Sequence, residues 1–262
     1  MNNTVPAKTA VALTYAGGAP AHLFLHGFTA TPDEMRFLAE SAAGAGHQAL
    51  VPLLPGHGAS PAALAVTSWQ QWYAATEEAA RQAGAEGSPV VVVGQSLGGL
   101  LALHLAATRA RWVAALILLA PALFLRAWWI EKAAAFLPLL ARIRPYWPKG
   151  ESDIADPAAR SARVGYDVIP LRAVAELVKL QRVVRGEVKE VAQPTLVVQS
   201  ELDHTCLWEG VEYLREHLAG PVQILRLQRS FHVVSLDYER AEVAAAMRGF
   251  VLAKFPRAGG GT

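Results

Sequence analysis

Gly94-Gln95-Ser96-Leu97-Gly98 is the stretch that decides how this chain is read. Before it runs Pro89-Val90-Val91-Val92-Val93, apolar, β-branched and of buried-strand length. After it comes Gly99-Leu100-Leu101-Ala102-Leu103-His104-Leu105-Ala106-Ala107, which reads as a helix. A serine between two glycines at a strand-to-helix junction predicts a sharp, strained turn that lifts the hydroxyl above a sheet. Side chains beside that turn would clash, so glycine is needed on both flanks. The Leu97 N–H would then lie at a helix N-terminus, placed to stabilise an oxyanion. Ser96 is the candidate nucleophile.

Working outward, Ala21–His26, Gln48–Pro52, Pro89–Gly94, Val113–Leu119, Pro194–Gln199 and Val222–Leu227 read as strands, most of them separated by helical patterns. That alternation predicts an α/β fold with a mostly parallel sheet. Thr31-Pro32-Asp33-Glu34 has the form of a capping box and predicts a helix start, with Met35, Leu38 and Ala42 on its buried face. From about Ala122 to Ala192 no strand is convincing. Aromatic and basic helical stretches there are broken by Pro138, Pro145, Pro148, Pro157 and Pro170, the pattern of a helical cap inserted between two sheet strands. The expected division is a core of 1–121 and 193–262 and a cap of 122–192.

Bulk composition narrows the class. Of 262 residues, 53% are apolar and 18% charged, which excludes disorder and suits a sheet covered on both faces. A net charge of +2 leaves no nucleic-acid footprint. The single cysteine, Cys206, forbids an intramolecular disulfide and reads as an inert loop thiol in a reducing compartment. Met1 to Lys8 lacks the pattern of a signal peptide, and the apolar stretch Val113–Leu125 is too short to span a bilayer, so a cytoplasmic location is expected.

A serine hydroxyl needs a base, and the base needs an orienting carboxylate. In chain order Ser, acid, His, the acid should follow the strand Pro194–Gln199, where Glu201 and Asp203 are available. Asp203 is favoured because it lies further round the turn; Glu201 is the alternative. His232 is the only histidine after the strand Val222–Leu227. The loop after Ala21–His26 should supply the second oxyanion donor, the Phe28 N–H, beside that of Leu97. His26 and His57 read as loop-fixing, and no histidines show metal-ligand spacing.

Assembled, these residues resemble the bacterial monoacylglycerol lipases and small carboxylesterases of the α/β-hydrolase superfamily. Leu25-His26-Gly27-Phe28-Thr29-Ala30-Thr31-Pro32 is similar to their oxyanion loop, Pro55-Gly56-His57-Gly58 to their Gly-His-Gly turn, and Ser230-Phe231-His232-Val233-Val234-Ser235-Leu236-Asp237-Tyr238 to their histidine loop. The resemblance implies the α/β-hydrolase fold, a Ser96–Asp203–His232 triad, an oxyanion hole of Phe28 and Leu97, and two-step acyl transfer from monoacylglycerol-type esters without metal or organic cofactor. A carboxylesterase for short soluble esters and a non-enzymatic ligand-binding relative are the alternatives. Tyr166-Asp167-Val168-Ile169-Pro170 resembles a stretch contacting the glycerol head group, which makes Asp167 a candidate substrate contact. Gln95 departs from the leucine common before the serine.

Phe124, Leu125, Trp128, Trp129, Phe136, Leu137, Leu139 and Leu140 lie among Arg126, Lys132, Arg142, Arg144 and Lys149. That mixture predicts an acyl-binding tunnel and transient contact with lipid surfaces. The same lip would serve a dimer, so monomer and homodimer are both left open.

Overall fold

The computed structural model describes residues 10–256. Nine strands are present among them: β1 Leu13–Tyr15, β2 Gly18–Leu25, β3 His47–Val51, β4 Val90–Gln95, β5 Val113–Leu119, β6 Tyr146–Pro148, β7 Val168–Pro170, β8 Thr195–Ser200 and β9 Val222–Leu227. Seven form one sheet in the order β1-β3-β2-β4-β5-β8-β9, with β1 alone antiparallel to its neighbour. The helices, in chain order, are α1 Arg36–Gly44, α2 Pro61–Ala65, α3 Trp69–Ala83, α4 Leu97–Thr108, α5 Trp129–Ala133, α6 Leu137–Leu140, α7 Pro157–Ala162, α8 Leu171–Glu187, α9 Glu209–His217 and α10 Arg240–Lys254. This is the α/β-hydrolase architecture.

The continuous valine run of β4 is explained by two covered faces. Val90 and Val92 point into a core shared with α3, α4, α8 and α9, while Val91 and Val93 point into one shared with α1 and α10. Leu116 and Leu118 of β5 alternate with Ala115, Ile117 and Leu119 in the same way. Helix α4 has no polar stripe because it is buried along its length from Leu97 to Ala106.

Two local expectations change. The helix at Pro32 begins as a 3-10 turn, Pro32–Met35, without a capping box. Thr31 Oγ1 has no hydrogen-bond partner among the described residues, and Glu34 accepts instead from the Gly27 N–H at 2.7 Å. A buried loop N–H is the costlier group to leave unpaired, so it takes the carboxylate. The segment between β5 and β8 also contains strands, β6 and β7, paired as an antiparallel ribbon. Each has three residues, too few for a period-2 pattern to show. In the same segment α8 spans two environments. Its Leu177, Leu180 and Val184 join the main core, whereas Leu171, Val174 and Ala175 pack with Leu137 and Ala141 of the inserted part.

Candidate active site

At the end of β4 the backbone turns through Ser96, which has φ 54° and ψ −107°. The two flanking glycines are required by contact distance. A Cβ on Gly94 would lie 2.2 Å from the Gly98 carbonyl oxygen, and one on Gly98 would lie 2.1 Å from that of Leu25. The Ser96 N–H donates to Leu119 O at 2.9 Å, and its carbonyl accepts from Gly99, Leu100 and Ala122, so the strained residue is held from both sides. Leu97 opens α4, where the first N–H groups have no intrahelical acceptor. The Phe28 N–H has no acceptor among the described residues.

Asp203 lies past β8 and is buried. Its Oδ1 accepts from the Thr205 and Cys206 N–H groups at 2.8 and 2.7 Å, and its Oδ2 from Gln199 Nε2 at 2.8 Å and His232 Nδ1 at 2.9 Å. Burial favours the neutral acid, but His232 and the two backbone donors outweigh it and hold Asp203 below the ordinary carboxylate value. Burial likewise opposes a charged His232. The carboxylate of Asp203 and the thiol of Cys206 overcome it and raise the imidazole well above 6.5. Glu201, the alternative acid, faces outward and pairs with Arg226 at 2.8 Å. Donor atoms of Asp203, Cys206 and His232 lie within 4.8 Å of one another, close enough for a metal ion. Four N–H donors already occupy the carboxylate, however, so the arrangement suits proton transfer better.

Ser96 and His232 line one cavity of about 470 Å³, together with Gly27, Phe28, Thr29, Glu34 and Gln95. No hydrogen bond joins Ser96 Oγ to the His232 ring among the described residues. The cavity wall is apolar where Leu125, Ile130, Leu137, Ile169, Leu171, Val174 and Leu177 face it. Lys149, Ser152 and Arg163 also line it. Asp167 is exposed and is not among the lining residues; its carbonyl accepts from the Lys149 N–H at 2.9 Å. The structure therefore brings Ser96, His232, Asp203, Phe28 and Leu97 to one place and leaves Asp167 outside it.

The histidines of the first loops hold backbone. His26 has its Nδ1 against Gly27 O at 3.0 Å, and its Nε2 accepts from the Leu54 N–H at 3.2 Å. His57 packs edge-on against His26, Phe28 and Trp72, and burial, then His26, lowers its pKa to about 3. Both are neutral packing residues.

Several supporting polar residues escape a sequence reading. Glu34 pins the Gly27 N–H. Gln95 Nε2 donates to His232 O at 3.0 Å. Asp237 accepts from Phe231, Ala155 and Asp156 N–H groups, tying the histidine loop to the inserted segment. Glu239 accepts from three successive N–H groups, Gln228 to Ser230. The one sequence signal that could have found Asp237 is its place in the histidine-loop resemblance; Gln95 depends on a contact 137 residues away, and Glu34 and Glu239 on turns that fold back over 7 to 11 residues without a periodic pattern.

The chain is 27% identical over 242 residues to the thermostable monoacylglycerol lipase of Bacillus sp. (strain H-257), covering 92% of this chain and 94% of that protein. It is 25% identical over 229 residues to a carboxylesterase of Bacillus subtilis (strain 168), covering 87% and 90%. A structure from work on the metagenome-derived lipolytic enzymes LipS and LipT superposes with a TM-score of 0.87 at 28% identity, over 94% of this chain and 98% of that one. The Paleococcus ferrophilus monoacylglycerol lipase shares the fold, with a TM-score of 0.77 at 19% identity over 93% and 98% of the two chains. The family model described as serine aminopeptidase, S33 (Hydrolase_4), matches residues 20–238, and the chain belongs to that family.

Proposed function

We propose that this protein hydrolyses monoacylglycerol-type carboxylic esters through an acyl-enzyme formed on Ser96. Ester hydrolysis as the general activity rests on its family and its lipase and carboxylesterase relatives. The observation that carries the mechanism is the buried Asp203–His232 pair facing a cavity that also exposes Ser96. Ser96 Oγ attacks the ester carbonyl while His232 Nε2 takes its proton. Asp203, held ionised by its donors, fixes the ring with Nδ1 protonated and stabilises the imidazolium. The Phe28 and Leu97 N–H groups receive the developing oxyanion. Protonated His232 gives its proton to the departing alcohol, then activates water to release the fatty acid. The absence of a Ser96–His232 hydrogen bond among the described residues is compatible with this reading, since catalytic bonds often tighten only in the complex.

The apolar wall supports an acyl chain as the bound portion of the substrate. The inserted segment supports lipid contact. Trp128, Phe136, Leu139 and Ile143 are 60%, 70%, 61% and 87% exposed, with Lys132 against Trp128 and Arg144 against Trp147. Exposed aromatics among cations suit an interface of lipid and water. No helix among the described residues is long and apolar enough to cross a membrane.

The test is hydrolysis of 1-monoacylglycerols of increasing chain length beside p-nitrophenyl esters and a diacylglycerol, with Ser96→Ala as the blank. Preference for medium or long monoacylglycerols is expected. Activity confined to short soluble esters would make the protein a carboxylesterase. Loss of fluorophosphonate labelling in Ser96→Ala is expected; an unlabelled parent protein would point to a binding relative.

A further inference from the structure

The cavity beside Ser96 contains a buried arginine side chain and a partly buried lysine that no step of ester cleavage requires. The Arg163 side chain is 7% exposed. Its Nη1 donates to the neutral Ser152 hydroxyl at 3.2 Å, its Nη2 stands 4.0 Å from Glu34 Oε2, and its Nε has no partner among the described residues. Lys149 has three donor hydrogens and one side-chain bond, to Thr29 Oγ1 at 2.6 Å. Both residues line the cavity wall.

Among the described residues that line the cavity, Glu34 is the one buried carboxylate, and its Oε1 is committed to the Gly27 N–H. The other acidic residues of the lining are engaged elsewhere: Asp153 with His204 and Thr205, Glu151 with Arg160. Asp167 lies on the exposed side of Lys149 and adds a weaker attraction. Two cations thus share one carboxylate in a place where uncompensated charge is costly. Burial first, and then Arg163, push the Lys149 ammonium down to about 7, the direction expected of a cation short of counter-charge. Thr29 and Gly27 belong to the oxyanion loop, so this corner is adjacent to the reacting ester. Ile130, Leu137, Ile169, Leu171 and Val174 form an apolar cluster that lines the same cavity.

We propose that Lys149 and Arg163 form a subsite for an anionic oxyacid group, so that the favoured substrates are single-chain esters carrying a carboxylate or a phosphate near the scissile bond. The acyl chain lies along the apolar wall and the anion completes the hydrogen bonding of the two cations. This deepens the ester-hydrolase reading and rests on it for turnover, but not for binding.

Two measurements separate the subsite from the activity. Binding of dodecyl phosphate, dodecanoate and neutral dodecyl glycerol ether to Ser96→Ala is measured by calorimetry, with and without Lys149→Met. At least one of the two anions should bind about ten-fold or more tightly than the ether, as charge-assisted hydrogen bonds imply, and Lys149→Met should erase that difference. The phosphate and carboxylate arms decide which oxyacid fits. Hydrolysis by the parent enzyme of a monoacylglycerol, its phosphate and a dicarboxylic acid hemi-ester should show the same order in KM. Lys149→Met should raise KM for the phosphate and the hemi-ester about ten-fold or more relative to the neutral ester, and Lys149→Arg should retain anion preference; an equal change for all three esters would overturn the subsite. Neutral esters turned over with no anion preference in binding would overturn the subsite and leave the hydrolase. Anion-selective binding with no turnover of any ester would overturn the hydrolase and leave the subsite.

Discussion

The Gln95 side-chain amide donates to the His232 backbone carbonyl at 3.0 Å, bridging two residues 137 apart in sequence. The bond runs from the residue just before the proposed nucleophile, Ser96, to the proposed base itself. It fixes the height of the histidine loop above the serine turn, and both groups are buried. Replacing Gln95 by leucine leaves the His232 carbonyl without this donor, at a cost of about 1–3 kcal/mol. The expected result in urea unfolding is a loss of that size, with kcat falling and KM nearly constant. An unchanged kcat would show that the loop needs no such tie.

The proposed mechanism requires neutral His232, and the Asp203 carboxylate raises the imidazole well above 6.5. As pH falls, protonation therefore begins earlier than for a free imidazole, and the acid limb of kcat/KM should lie above 6.5. Asp203→Asn removes the attraction, so the limb should move down in pH while kcat drops by about 10⁴. A pH–rate profile of both proteins checks the sign.

Glu34 sets the oxyanion loop from beneath. Its carboxylate accepts from Gly27 N, one residue before the Phe28 donor, at 2.7 Å. Glu34→Ala leaves that N–H and Arg163 without their partner and should cost about 3–5 kcal/mol, the range for breaking a buried charge pair. Glu34→Gln keeps an acceptor and should recover most of the kcat lost in alanine. Thermal melts paired with kinetics separate the two effects; equal kinetics in both variants would remove Glu34 from loop positioning.

Two glycines give opposite outcomes when changed to alanine. Gly98→Ala places a Cβ 2.1 Å from Leu25 O, against rigid backbone, and should abolish soluble folded protein. Gly186 lies in α8 with nothing within 4 Å of its added Cβ. Gly186→Ala should therefore stabilise by about 0.5–1 kcal/mol through helix propensity. Circular-dichroism melts decide both.

Trp129, which lines the cavity, and its neighbour Trp128, 49% and 60% exposed, should anchor transient lipid contact. Changing both to serine should reduce flotation with anionic liposomes and activity on dispersed lipid, while hydrolysis of a soluble ester stays within about two-fold. Unchanged flotation would exclude this surface.

The strand-to-helix turn at Ser96 was legible because everything it needs is local. Val90–Val93 mark a strand covered on both sides, α4 begins one residue after the serine, and Gly94 and Gly98 answer clashes within the turn and with the adjacent strand. The order serine, acid, histidine was readable to within the Glu201–Asp203 alternative, since each group follows its own apolar run. The ribbon of β6 and β7 was not, because three-residue strands carry no period. Tertiary structure alone decided which carboxylate meets His232: Asp203 turns inward to it, while Glu201 turns out to Arg226. It alone drew Glu34 to Gly27, put Lys149 and Arg163 on the cavity wall and left Asp167 on the surface. Periodicity reports which face of an element is apolar; it does not report where a charged side chain in a loop ends. That position follows from backbone donors and counter-charges supplied by other segments, from 7 residues away for Gly27 and Glu34 to 120 for Thr29 and Lys149, which come together only when the fold has formed.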